Sequence, residues 1–212
     1  MGVKERRERE KSEVRDKILD AARELFLTEG YEGVSMRKVA DRIEYTPTTI
    51  YSYFVDKEDL FRQLCHEDFA KLAEVFQSAS ISADPVERMR QIGKIYTDFG
   101  LRYPNHYKVM FMTPHPAAEL DEVDQEIKGN PEVDAYAFLK ATVQQAVDAG
   151  AFLDEYKDAE LISQTMWAGV HGVIALHIAK SHDGWVDWRP VEQRVEFMLD
   201  AMMFGMLRER KK

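Results

Sequence analysis

Cysteine is almost missing from this 212-residue chain, where Cys65 stands alone. That excludes a disulfide scaffold and a cysteine-rich zinc site. Long apolar runs are missing as well. None approaches the ~18 residues of a membrane span, so no membrane segment is expected. The charged start, Met1 to Arg7, has no apolar stretch behind it and does not read as a secretory signal. Gly2 invites myristoylation, but Arg6 stands where that motif takes Ser or Thr. There is no Gly-rich phosphate loop, and no Ser/His/Asp arrangement is suggested by spacing. The six histidines form no i,i+4 pair, so neither a metal nor a cofactor is expected. Cys65 falls on the apolar side of its helix, beside Leu64 and Phe61, as a buried structural thiol would. Together these absences point to the reducing cytoplasm and away from an enzyme.

What is present is ordinary for a soluble globular protein: 45% apolar, 32% charged and 11% aromatic residues. The length suits one large domain, or a small domain plus a larger one. The net charge of −9 taken alone argues against a nucleic-acid binder. Its distribution matters more. Residues 1–60 hold 12 basic and 14 acidic side chains, whereas 61–212 hold 17 and 24. A nearly balanced module on an acidic body can bind DNA if its basic side chains point one way.

The helical period dominates. Val14, Ile18, Ala21/Ala22 and Leu25 predict a helix over about 13–29, stopped by Gly30. Ser35 reads as the N-cap of a short helix over 36–43, and Thr46, with Pro47 behind it, as the cap of another over 47–53. A long helix is expected from Lys57 to Ser78, then a linker to Asp84. Further helices are predicted over 86–103 and 105–112, up to Gly150, over 158–180, and from Pro190 to about Arg208. A short one between the breaks at 113–116 and 129–131 is also possible. No strand pair, internal repeat or low-complexity segment is evident. The fold class is all-α, with a small domain at 12–60 and a larger one at 61–212.

The pair 36–43 and 47–54, joined at Glu44-Tyr45, fits a helix-turn-helix, whose second helix enters a DNA major groove. That helix presents Thr46, Thr48, Thr49, Tyr51, Ser52 and Tyr53, hydroxyl groups suited to phosphate bonds and modest base contacts, including threonine methyl to thymine. Ile50 and Phe54 face the small core. Lys57 and Arg37, each in the first turn of a helix, suit phosphate seats, and Ser35 joins them. The plainer reading is a polar turn with Tyr51 and Tyr53 as half-buried surface aromatics. Lys4 to Lys17 is dense in both signs of charge. It reads as a solvated extension of the first helix or as a basic arm carrying Arg6, Arg7 and Arg9.

The stretch Ile18-Leu19-Asp20-Ala21-Ala22-Arg23-Glu24-Leu25-Phe26 is followed by Gly30-Tyr31 and Ser35-Met36-Arg37-Lys38-Val39-Ala40. Thr49-Ile50-Tyr51-Ser52-Tyr53-Phe54 and Lys57-Glu58-Asp59-Leu60 complete the series. Together they resemble the DNA-binding domain of the TetR family of bacterial transcriptional regulators, without a gap over residues 13–62. One departure is the turn, where the family usually carries a small pair such as Gly-Val and this chain has Glu44-Tyr45. The resemblance implies a three-helix DNA-binding head on a helical body that dimerises through its last two helices and encloses a pocket for a small effector. Such proteins mostly repress transcription from a pseudo-palindromic operator, and the effector releases them.

In the body, Thr165 to Ala179 is apolar nearly all round, and Ala168, Gly172, Ala175 and Ala179 form a row of small residues. The last helix carries Val191, Val195, Met198 and Met202 beside Leu199, Met203 and Met206. Both suit a homodimer interface, or a self-contained bundle. Trp167-x-x-x-His171-Gly172 is similar to a Trp-His-Gly pattern of one subgroup of the family. Phe99, Tyr103, Tyr107, Phe111, Trp167 and His171 are the candidate effector contacts, suited to an apolar or aromatic ligand, though core packing explains most of them equally well. Two functions remain in different classes. One is a dimeric, effector-gated repressor of double-stranded DNA, with a DNA binder lacking an effector as its variant. The other is a helical carrier or enzyme whose helix-turn-helix is incidental.

Overall fold

The computed structural model describes residues 2–78, 82–116 and 120–208. They form α1 (Val3–Gly33), α2 (Met36–Arg42), α3 (Pro47–Tyr51), α4 (Lys57–Ser78), α5 (Pro85–Arg102), α6 (Pro104–Met112), α7 (Glu122–Ile127), α8 (Ala135–Asp148), α9 (Ala159–Lys180) and α10 (Val191–Met206). Among the described residues the only extended pairing is an isolated bridge between Phe152 and Leu207. The chain is all-α.

Several helix limits differ from the expected ones. Helix α1 begins ten residues earlier than the apolar period predicts, because Arg6–Glu10 (2.8 Å) and Arg9–Glu13 (3.7 Å) pair one turn apart and support helix where nothing is buried. At its other end Gly30 does not stop the helix. It adopts φ 71°, kinks the chain, and one more turn follows to Gly33. That turn places the Tyr31 ring on Phe26 (5.8 Å) and edge-on to Phe61 (5.2 Å). Helix α3 ends at Tyr51 rather than 53, since the Ser52 hydroxyl donates to the Thr49 carbonyl at 2.6 Å and closes the last turn. A short α7 occupies the stretch between the two Pro-containing breaks. Part of the expected linker, residues 79–81, lies outside the described residues.

The chain divides into two compact units. One comprises residues 2–69 and 105–116, the other 70–78, 82–104 and 120–208. This differs from a boundary at residue 60, because the first unit takes in the start of α4 and most of α6. The reason lies in its core. Ile18, Leu19, Ala22 and Phe26 of α1 pack with Val39 and Ala40 of α2, Ile50 of α3, Phe54, Leu60 and Leu64, and Val109 of α6 is buried in the same cluster. His115 adds a ring contact to Phe61 (4.7 Å), and Phe111 meets Phe69 edge-on (5.5 Å). Beside this core a charged pair is buried. Arg23 donates to Asp68 at 2.8 Å with both side chains almost wholly shielded from solvent, and His106 lies 3.9 Å from the same carboxylate. Burial, and then the charge of Asp68, pushes the neighbouring Cys65 thiol up to about 12, which keeps it protonated at neutral pH.

In the second unit α5 packs on α8, α9 and α10, and α9 lies between α8 and α10. Asp84 caps α5 by accepting from the Val86 N–H at 3.0 Å, and Pro85 takes the first helical position. A Cβ on Gly169 would stand 2.7 Å from Met198 Sδ, so α9 and α10 approach closely there.

The buried pair yields a stability test. Asp68→Ala takes from Arg23 its buried partner and leaves it the exposed Asp20 at 2.7 Å, a cost of about 3 kcal/mol, which lowers the melting temperature by roughly 10 °C. Arg23→Met combined with Asp68→Leu recovers most of that loss; a double variant as unstable as Asp68→Ala would contradict it.

Candidate nucleic-acid interface

Helices α2 and α3 are short, and each is started by a side-chain cap. The Ser35 hydroxyl accepts from the Lys38 N–H, and Thr46 Oγ1 accepts from the Thr49 N–H, both at 3.3 Å. The turn between them closes with the Tyr45 N–H donating to the Ala40 carbonyl at 3.0 Å. It requires a left-handed residue, and Glu44 takes that role at φ 60°. For a residue with a Cβ this conformation costs about 1–2 kcal/mol, which is why glycine usually holds it. The departure seen in the sequence therefore keeps the turn and adds strain to it.

The structure sorts the sequence candidates by their exposure. Ser35, Arg37, Thr46, Thr48 and Tyr51 are exposed; Thr49, Tyr53 and Lys57 are half-buried. Ile50 and Phe54 point inward, at 0% and 1% exposure. Ser35 and Thr46 are engaged as caps, and the Thr46 and Thr49 hydroxyls lie 3.0 Å apart in mutual contact. Tyr53 packs beside Phe54, with the Lys11 ammonium 6.0 Å from its ring. Lys11 was not singled out from the sequence, because its nearness to Tyr53 depends on α1 extending back past residue 11. Tyr51, at 56% exposure, is the most open aromatic of α3.

Lys57 is engaged within the fold. Its ammonium donates to the Tyr31 carbonyl at 3.0 Å and lies 4.2 Å over the Tyr31 ring, so it fastens the end of α1 to the start of α4. Other cations of the head are engaged in the same way. Arg42 pairs with Glu24 (2.6 Å), Lys38 with Glu29 and the Gly33 carbonyl, and Arg15 with Glu67 and Gln63. Arg37 differs: its side chain is 83% exposed, and its nearest carboxylate, Asp41, is 3.9 Å away. Asp59 braces the start of α4. Burial alone would push its carboxyl up, but bonds from Gln63, the Val55 N–H and Arg62 more than reverse this and hold it below the ordinary range.

The effector candidates divide between the two units. In the larger one, Trp167 Nε1–H donates to the Tyr96 oxygen at 3.0 Å, and that oxygen lies 3.3 Å from His171 Nδ1. Burial holds the His171 imidazole below its usual value, so it is neutral at pH 7 and Nδ1 is able to accept the Tyr96 proton. Tyr136 lies 5.8 Å from the Trp167 ring. Tyr96 links the two members of the Trp-His-Gly pattern, a role that its helical register with Phe99 and Tyr103 does not show. Phe99 packs on Tyr103 (5.4 Å), whose ring sits beneath Lys71 (4.1 Å). Tyr107 and Phe111 belong to the first unit. There Tyr107 is wholly buried and packs on Phe111 at 4.9 Å. Among the described residues no group of three His, Cys, Asp or Glu side chains could hold a metal ion.

Residues 18–64 match the family described as bacterial regulatory proteins, tetR family, and residues 89–202 match a tetracyclin repressor-like C-terminal domain. The chain is 41% identical over 61 residues to the HTH-type transcriptional repressor AcnR of Corynebacterium diphtheriae, covering 29% of this chain and 32% of that protein. It is 32% identical over 134 residues to the HTH-type transcriptional repressor KstR of Mycobacterium tuberculosis, covering 60% and 58%. These matches thus span between a third and three fifths of the relatives' own length. In fold, a TetR family transcription regulator from Marinobacter aquaeolei superposes with a TM-score of 0.72 at 19% identity, over 96% of this chain and 98% of that one.

The strained turn gives a direct test. Glu44→Gly is expected to raise the unfolding free energy by about 0.5–1 kcal/mol, since glycine relieves the left-handed cost but loses more chain entropy on folding. Chemical denaturation checks it, and a destabilised variant would show that Glu44 makes a compensating contact.

Proposed function

Because the chain belongs to the TetR family of bacterial regulatory proteins, we propose that it is a cytoplasmic, homodimeric, DNA-binding transcriptional repressor released by a small apolar or aromatic effector. The observation that carries this reading is the capped pair α2 and α3, with Arg37, Thr48 and Tyr51 exposed on the same head while Ile50 and Phe54 anchor it from within. Ser35, Thr46, Thr49, Tyr53 and Lys57 support that surface, three as caps or bracing and two as half-buried flanks. Two half-sites are then read at a separation near one DNA turn, about 34–36 Å, so a change in spacing weakens both at once.

The dimer is supported by what α9 and α10 leave uncovered. Helix α9 is long and apolar enough by composition to cross a membrane, yet only 28% of its apolar window is buried in the protomer. Leu161, Thr165, Ala168 and Leu176 are exposed along one of its faces, and Phe197, Ala201 and Phe204 along α10, with Phe197 at 77% exposure. The glycines separate the two sides. Gly169 is crowded by α10, whereas Gly172 and Gly205 have open space where a Cβ would stand. A second copy would cover this face isologously.

For the effector, the supporting feature is the Tyr96–Trp167–His171 cluster, with Phe99 on α5 and Tyr103 at its C-cap, aromatic side chains with a few polar groups among them. Core packing already accounts for Tyr107 and Phe111.

Three measurements test the proposal. The purified protein should protect a near-palindrome in the DNA flanking its gene, released by one member of a panel of apolar and aromatic compounds. If neither that DNA nor a random pool yields a protected site, the reading fails. With Arg37 and Lys11 as the ionic contacts, four per dimer, log K should fall against log salt with a slope of about −4, shallower by about 2 in Arg37→Ala. Finally, Phe197→Glu should give a folded monomer in sedimentation; an unaltered dimer would place the interface elsewhere.

A further inference from the structure

We propose that α3 reads thymine 5-methyl groups in the major groove, through Thr48 and Tyr51, and that it identifies neither guanine nor adenine by paired hydrogen bonds. The proposal rests on the DNA-binding reading above and names the chemical feature which that surface recognises.

The first support is compositional. Bidentate reading of guanine takes Arg or Lys, of adenine Asn or Gln, and cytosine is read by Asp or Glu. From Thr46 to Phe54 the chain carries none of these six residue types. What it offers instead is six hydroxyl groups, on Thr46, Thr48, Thr49, Tyr51, Ser52 and Tyr53.

The second support is geometric, and it removes most of the six. Thr46 and Thr49 hold each other at 3.0 Å, and Thr46 also caps the helix. The Ser52 hydroxyl donates to the Thr49 carbonyl at 2.6 Å. Tyr53 is half-buried beside Phe54 and Lys11. Thr48 and Tyr51 remain, both exposed and three residues apart, which puts them side by side on one face of the helix. A threonine side chain is β-branched and stiff, so its methyl is held rather than rotating freely among positions. Next to it stands the Tyr51 ring. The pair makes a small apolar patch between hydroxyls, and thymine alone among the four standard bases presents a methyl group in the major groove.

The test uses the full-length protein and a duplex selected by it from a random pool. Each thymine of the half-site is replaced in turn by deoxyuridine, which keeps the base pairing and removes only the methyl. One or two positions per half-site should lose affinity about fourfold, and about fifteenfold when both half-sites are changed. Thr48→Ser keeps the hydroxyl and removes the methyl. It should bind the thymine duplex as weakly as the unaltered protein binds the deoxyuridine duplex, and no longer distinguish the two. Thr48→Val, which keeps a methyl, should still distinguish them. Thr48 is exposed, so both variants are expected to fold, and circular dichroism checks that.

A selected duplex that tolerates deoxyuridine throughout but loses tenfold or more on 7-deazaguanine or 7-deazaadenine substitution would overturn the proposal, because purine N7 would then be the feature read. A Thr48→Ser protein that still separates thymine from deoxyuridine would overturn the role of Thr48. A pool that yields no bound duplex would sink the DNA-binding reading itself, an outcome distinct from the other two.

Discussion

Five residues of helix cannot hold themselves together in water, where ~12–15 are marginal even in favourable sequences. Helix α3 therefore exists because Ile50 and Phe54 are buried in a core supplied by α1, α2, α4 and Val109. Everything exposed on α3 depends on that burial, since it determines which face of the helix turns outward. The caps at Ser35 and Thr46 and the left-handed Glu44 set the angle at which α3 leaves the turn. The buried Arg23–Asp68 pair fastens α1 to α4 beneath it. Such a pair adds little net stability over an apolar replacement, but it tolerates only one arrangement of the two helices.

The charge pattern follows from the same economy. An acidic chain would repel a polyanion, and within the head Arg42, Lys38, Arg15 and Lys57 are used internally, by Glu24, Glu29, Glu67 and the Tyr31 carbonyl. What faces outward on α3 is neutral. Such a surface offers a partner methyl groups and a few hydroxyls rather than charge, and Arg37 on α2 is an exposed cation of the same head.

The larger unit poses the opposite problem. Its last two helices have more apolar surface than the chain itself covers, and Gly172 and Gly205 have open space where a Cβ would stand. Within the unit, Tyr96 places its hydroxyl between a tryptophan N–H and a histidine ring nitrogen, so three part-buried polar groups satisfy one another.

Much of this was legible from residue order. The apolar period placed the helices, Ser35 and Thr46 with Pro47 marked the two short ones, and the outward hydroxyls of α3 were named because caps and periodicity are local effects, acting over three or four residues. The start of α1 was legible only as a charged extension of the helix or a basic arm, because charge pairs, not apolar residues, carry it. The inclusion of α6 in the first unit, the use of Lys57 as a brace and the linking role of Tyr96 could not be read at all. Each joins residues at least 26 positions apart, and no local period records a partner at that distance. The sequence by itself determined which segments are helical and which chemistry they can present. Only the tertiary structure decided which of those groups remain free, because a hydroxyl or an ammonium is available for recognition only when no neighbour in the fold has already taken it.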